Sequence, residues 1–296
     1  LVAKKLDVVY DRRSKLVKLM TPASPSSPTA TKMLRPTVFW RIADNIPSRL
    51  TWVLFGISIG APFLFWWLLS NSGVVQPLFL PTPQAVWVAG QALWSSGDLP
   101  RDIVFSLYRV FAGFLLAAIV SIPLGILMGT FASIRSLLEP IVGIIRYMPA
   151  PAFIPLLILY FGIGEPPKIL LIFIGTLFFN TLMVMDAVKF VPKDLIETTY
   201  TLGGKRWQVL LQVILPYVLP SVIDAARVNL AASWQLVIVS ELIAAEEGLG
   251  RRISVAGRFL KTDEIFVGLI VIGTIGLAID VLFRLLLRTT CRWAAK

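Results

Sequence analysis

Long stretches of this chain carry no charged side chain, among them Val110 through Ile134, Tyr147 through Gly164, and Ile169 through Met185. A helix needs roughly 20 mainly apolar residues to cross about 30 Å of hydrocarbon, and each block has nearly that length or more. Backbone polar groups find no water partner in lipid, so spans of this composition must satisfy their hydrogen bonds internally, as helices. The blocks account for a composition that is 56% hydrophobic and 15% charged, where soluble domains average about 45–50% and about 25%. The expected fold class is all-α: a polytopic membrane protein of about six transmembrane helices.

Several function classes fall away at once. The net charge of +11 does not point to nucleic acid, because the basic residues sit between the spans rather than on one soluble face. The chain has no histidine and one cysteine, Cys291. Imidazole catalysis, histidine metal sites and an intrachain disulfide are therefore excluded. A membrane-embedded enzyme would want a nucleophile–base pair or a carboxylate cluster at membrane depth, yet Asp224 and Glu241, the acids read as deep in the fifth span, lie 17 residues apart. No catalytic residue, metal site or bound cofactor is expected.

Residues 1–50 form a basic extension. An amphipathic segment over 1–20, suited to an anionic membrane surface or to solvent, precedes a Pro/Ser/Thr-rich linker over 21–37. Residues 51–296 form the membrane domain. Spans are expected at Trp52–Leu69, Ile103–Thr130, Pro140–Phe161, Ile169–Val188, Tyr217–Ala245 and Ile265–Leu287, with a short helix near Gln84–Trp94. With both termini inside, the cytoplasmic segments would hold most of the 28 Lys and Arg, as the positive-inside rule requires.

The polar segment 189–216 is the most specific feature. Pro192 suits the first turn of a helix, and Asp194 and Glu197 sit where the helix dipole favours acids. Leu195, Thr199 and Leu202 recur at i, i+4 and i+7, giving one short apolar face. Gly203-Gly204 then supplies a stop with positive φ available, and a second helix over Lys205–Leu215 runs to Pro216. Glu197-Thr198-Thr199, Gly203 six residues after the glutamate, and Val213-Ile214-Leu215-Pro216 together resemble the EAA loop of ABC importer permeases. That pattern is E-A-A, three residues, G, nine residues, I-x-L-P. Thr198 and Thr199 stand for the alanines and Val213 for the isoleucine.

The resemblance extends over roughly residues 60–290, to the nitrate/sulfonate/taurine/bicarbonate branch of these type I permeases. It is carried by Leu80-Pro81-Thr82-Pro83, Ile122-Pro123-Leu124-Gly125, Arg146-Tyr147-Met148-Pro149, Tyr160-Phe161-Gly162-Ile163-Gly164 and Gly248-Leu249-Gly250. It implies a transmembrane permease subunit in a bacterial inner membrane, passing a small anion of the sulfonate/taurine, nitrate or bicarbonate class. The wording near Phe161–Ile169 and in the loop leans to the sulfonate side. It also implies two ATP-binding cassette ATPase subunits, a second permease copy or close paralogue, and an external substrate-binding protein or lipoprotein. The ATPases would grip the loop through Glu197, Thr198, Thr199, Leu202, Gly203, Leu215 and Pro216. No Walker A pattern occurs in the chain, so ATP would belong to those partners.

Charges inside spans are costly and usually face a cavity or a partner. Arg227, Trp234 and Glu241 are spaced by seven and lie along one helical stripe, with Asp224 one turn before Arg227. The stripe faces the translocation path, or an Asp224–Arg227 pair neutralises itself. Arg146, ahead of Pro149, Pro151 and Pro155, either lines the path or snorkels to headgroups. Asn180 is a further pathway candidate, with interhelical glue as its other role. The rival class is an ATP-independent secondary transporter or channel, which has no need of protruding loop helices with an apolar face.

Overall fold

The structure, a computed structural model, describes residues 46–293 apart from the side chains of 243 and 244. The expectations for the segment before residue 46 lie outside the described residues. Contacts divide the chain into two units, Leu1–Pro62 and Phe63–Lys296. The dividing point falls inside helix α1 (Ser48–Asn71). In the first unit, α1 is apolar all round, with Trp52, Phe55, Ile57 and Ile59 exposed, as a lipid-facing span demands. Trp52 and Phe55 meet edge to face at 6.0 Å.

In the second unit, α2 (Pro83–Ser95) starts where Thr82 Oγ1 accepts from the Ala85 N–H and Pro83 takes the first helical position. Neither residue leaves an unmet donor there. The long α3 (Asp98–Thr130) follows, then α4 (Ala132–Ile145), a 3₁₀ turn (Ala150–Phe153) and α5 (Ile154–Phe161). Next come α6 (Glu165–Lys189), α7 (Lys193–Thr201), the single turn α8 (Arg206–Gln208), a π-helical turn (Val209–Ile214) and α9 (Leu215–Ala244). Helices α10 (Leu249–Arg258) and α11 (Thr262–Thr290) complete the chain.

Among the described residues, five helices, α1, α3, α6, α11 and the continuous Arg206–Leu242 stretch, are long and apolar enough to span a membrane. The sixth expected span, Pro140–Phe161, is not one rod. α4 starts earlier, at Ala132, and the two halves meet at 84°. Pro149 and Pro151 lie at the break, where neither has an N–H for the preceding turn and Pro149 is extended, whereas Pro155 falls in the first turn of α5, where a missing N–H is tolerated. A second difference concerns the helix expected over Lys205–Leu215, which runs directly into α9. The join is the π turn Val209–Ile214, with Pro216 just beyond it in the first turn of α9. A third is α10, a helix that lies in what reads from sequence as a plain interspan loop.

The core is α3, α6 and α9 packed side by side. Along α3, Gly113, Ala117, Ser121, Gly125 and Gly129 repeat every four residues or multiples of four, forming a small-residue stripe. A Cβ on Gly113 would sit 2.7 Å from Ile172 Cβ, and one on Gly125 would sit 2.6 Å from the Thr181 carbonyl oxygen. One on Gly129 would meet Val188 just as closely. Lipid supplies no hydrophobic drive between helices, so close backbone approach and polar contacts hold them together.

Candidate functional site

The 189–216 segment folds as a helix, a glycine turn and a second helix. α7 ends in a Schellman motif. Gly204 N–H donates to the Thr199 carbonyl at 2.9 Å and Gly203 N–H to the Tyr200 carbonyl at 2.9 Å. Gly203 itself has φ +82°, the left-handed region that glycine enters without a Cβ penalty. Gly204 is needed for space, because a Cβ there would reach within 2.7 Å of the Thr199 carbonyl oxygen. The second helix opens with Gln208 Oε1 accepting from the Lys205 N–H at 2.7 Å.

The segment has two faces. Inward, Ile196, Val209, Leu210, Ile214 and Leu215 join Val184 and Val188 of α6 and Ile126 of α3 in one apolar cluster. Outward, Leu202 is 82% exposed, with Leu195, Tyr200 and Trp207 also exposed. Glu197 and Thr198 lie on the outer side too, and with Asp194, Thr201 and Leu202 they line a shallow hollow of about 330 Å³. Thr199 is half-buried and Pro216 exposed. Of the coupling residues read from sequence, Glu197, Thr198, Thr199, Leu202 and Gly203 form one surface. Leu215 anchors the segment from behind, and Pro216 sits at the start of α9.

The five side chains assigned to a pathway divide differently. Trp234 is buried against α11, its Nε1 donating to the Ile272 carbonyl at 3.1 Å. Asn180 is fully buried at the centre of the core. Its Nδ2 donates to Ser121 Oγ at 2.6 Å, and its Oδ1 accepts from Asn229 Nδ2 at 3.0 Å. Thr176 and Ser233 meet nearby at 2.7 Å. These contacts are interhelical glue between α3, α6 and α9. Arg227 keeps a 26% exposed side chain and pairs with Asp224 at 2.8 Å and with Asp280 of α11 at 3.2 Å. Arg146 caps α4, lies 4.8 Å from the Tyr147 ring centre, and leaves its Nε without a protein partner.

Glu241 belongs to a centre that the sequence reading did not assemble. Arg109, buried in α3, donates from Nη1 to Glu241 Oε1 at 2.7 Å and to the Glu247 carbonyl at 2.7 Å. Its other edge forms a fork on Glu165 of α6, Nε to Oε2 at 2.6 Å and Nη2 to Oε1 at 2.7 Å. Lys168, itself buried, donates to Glu165 Oε1 at 2.9 Å. Glu241 accepts in addition from Ser106 Oγ at 2.8 Å and from the Gly250 N–H at 2.8 Å. Gly248 N–H donates to Asp102 Oδ1, and Asp102 pairs with Arg252. The first N–H groups of α10, which a helix leaves unpaired, are thus met by side chains from α3 and α9. Arg109, Glu165 and Glu241 lie in three different helices; the charge-in-span rule flags Arg109 and Glu241 singly without saying which would meet, and it passes over Glu165, which falls between the expected spans.

Comparison with known proteins places this arrangement. Residues 121–290 match the family described as binding-protein-dependent transport system inner membrane component. The taurine transport system permease protein TauC of Escherichia coli is 36% identical over 233 residues, covering 77% of this chain and 85% of that protein. A putative aliphatic sulfonates transport permease, SsuC of Bacillus subtilis, is 34% identical over 228 residues, covering 77% and 83%. The fold resembles a chain of the inward-facing MetNI methionine ABC transporter, with TM-score 0.55 and 22% identity over 64% of this chain and 96% of that one. With the exposed loop face and the spans already described, the chain belongs to the binding-protein-dependent inner membrane components and is a permease subunit of an ABC importer.

Proposed function

We propose that this permease carries small organic sulfonates, taurine among them, in an import cycle driven by two separate ATPase subunits. The observation that carries the reading is the outward face of α7. Leu202 and Leu195 stand exposed on a polar segment, beside a glycine turn fixed in the left-handed region. Neither lipid nor water is a favourable neighbour for an ordered apolar knob flanked by Asp194 and Glu197, whereas a groove in a soluble partner is. The sulfonate assignment is supported by the taurine and aliphatic-sulfonate relatives.

In this reading both termini and the 189–216 segment face the cytosol, while α2, α10 and the start of α6 face outside. A second copy completes the central pathway, and an external binding protein delivers the cargo. Arg146 and Arg227 retain exposed surface and stay assigned to the pathway wall. Asn180, Trp234 and Glu241 shape that wall from behind. The ATPases push on α7. Its inner face is fused to α6 and α9 through the Val209–Ile214 turn, so the push travels along the continuous Arg206–Leu242 helix.

The test is uptake of labelled taurine into proteoliposomes holding this chain, its ATPase and its binding protein. ATP-dependent uptake is expected. Uptake that proceeds without ATP, or a permease that purifies with no ATPase attached, would overturn the assignment in favour of a secondary transporter or channel.

A further inference from the structure

The Arg109 centre holds more than a structural clip needs. Its guanidinium has two edges in different surroundings. The Nη1 edge is locked inside the chain by Glu241 and the Glu247 carbonyl, with the Arg109 and Glu241 side chains 1% and 0% exposed. The Nε/Nη2 edge is taken up by Glu165 alone, and that side chain is 36% exposed. Glu165 is the first residue of α6, so one rotamer change carries its carboxylate to solvent without moving the helix. Arg109 does not follow, because its other edge remains bonded.

Charge balance then decides what the vacated fork requires. Arg109 and Lys168 supply two positive charges against Glu165 and Glu241. Among the described residues, Glu165 is the only hydrogen-bond partner of Lys168. With Glu165 swung out, a buried ammonium and an open guanidinium edge are left with one negative charge too few. A buried unpaired charge is strongly unfavourable. The fork presents two parallel N–H donors at the spacing that a planar carboxylate or two oxygens of a sulfonate accept in the bidentate manner.

We propose that the Nε/Nη2 edge of Arg109, together with Lys168, is a binding site for a small organic monoanion of the sulfonate type, closed in this conformation by Glu165 acting as an internal stand-in for the ligand. Net charge, donor geometry and a solvent-side exit for the stand-in all fit a monovalent oxyanion and do not fit a cation or a neutral solute. The choice of sulfonate rests on the proposed function; the oxyanion site itself rests only on these contacts.

The test uses the full chain in nanodiscs and its thermal unfolding with methanesulfonate, against the neutral isostere dimethyl sulfone. In Glu165→Ala, methanesulfonate at about ten times its Kd is expected to raise Tm by about 3–6 °C. The wild type, with the fork occupied, is expected to shift far less. Glu165→Gln, which keeps the side-chain shape, serves the same measurement should the alanine variant fail to fold. Adding Lys168→Met to either variant should abolish the shift. An equal shift with dimethyl sulfone, an undiminished shift in the Lys168→Met double variant, or no shift in either Glu165 variant would overturn the site. ATP-driven taurine uptake by the wild type alongside that failure would leave the proposed function standing. A methanesulfonate shift without any taurine uptake would support the site and overturn the sulfonate import reading.

Discussion

Arg109 and Glu241 are 132 residues apart in sequence and meet at 2.7 Å, with side chains 1% and 0% exposed. The contact joins the outer ends of α3 and α9 in the proposed topology, and Ser106 and the Gly250 N–H complete the shell of Glu241. Breaking it from one side strands a charge. Glu241→Leu is therefore expected to destabilise the folded chain by about 3–5 kcal/mol. Arg109→Met/Glu241→Leu should be less destabilised than the two single effects added, by at least about 1 kcal/mol. Thermal unfolding of the three variants in nanodiscs closes the cycle, and strict additivity would mean that the two residues act independently.

Leu202 offers a cleaner separation of stability from function. It is 82% exposed, so Leu202→Glu should leave stability within about 0.5 kcal/mol of the wild type. In the proposed function the same change places a charge in a partner's apolar groove. Retention of the ATPase on the purified permease is expected to fall at least tenfold, read by pull-down at controlled salt.

Gly203→Val tests the turn rather than the face. The added side chain meets open space, but at φ +82° a β-branched residue costs about 1–2 kcal/mol. Membrane insertion should be intact and ATP hydrolysis should continue, while hydrolysis no longer tracks taurine uptake in proteoliposomes. Wild-type coupling in this variant would count against the loop as the point of force transfer.

Gly125 bears on the span core. A Cβ there would lie 2.6 Å from the Thr181 carbonyl oxygen and 2.8 Å from Val184 Cβ. Neither a backbone oxygen nor a branched Cβ can step aside cheaply. Gly125→Val should therefore cost about 1–3 kcal/mol, through forced separation of α3 and α6. Gly143, with nothing within 4 Å of an added Cβ, provides the control: Gly143→Ala should be neutral or slightly stabilising in the same unfolding assay.

Arg227 separates pairing from transport. Its ion pairs with Asp224 and Asp280 involve groups 26%, 54% and 32% exposed; facing a water-filled pathway, as proposed, they are weakened by solvent, and Arg227→Gln should change stability by no more than about 1 kcal/mol. If it lines the pathway as proposed, loss of its charge should lower the rate of taurine uptake about tenfold, which corresponds to about 1.4 kcal/mol. An unchanged rate would leave Arg227 with the ion pairs alone.

Much of this was readable from one-dimensional patterns because lipid restricts the options so severely. Charge-free blocks had to be helices, and the helix ends at Thr82-Pro83 and Gly203-Gly204 are local devices whose donors and acceptors lie within a few residues. Local chemistry also flagged trouble after Arg146, where three prolines interrupt a span. It did not give the 84° bend between α4 and α5, because the direction of a break is set by what the two halves pack against. Helix α10 escaped notice because its polar residues resemble an exposed loop. Two of its first N–H groups are capped by Asp102 and Ser106 of the distant α3 and a third by Glu241 of the preceding helix α9, and no local pattern can announce the α3 partners.

The sequence by itself determined the all-α membrane architecture, the loop from Glu197 to Pro216 and its glycine stop, since each follows from composition or from spacing within a few turns. Only the tertiary structure decided which in-span charges are partners. It gave the pathway candidate Glu241 a mate in Arg109, added Asp280 to the Asp224 that sequence already places beside Arg227, and put Asn180 into a chain of core hydrogen bonds. A charge buried in a low-dielectric interior must find a partner. Helical periodicity says which face it leaves from and nothing about which helix, more than a hundred residues away, supplies the other half.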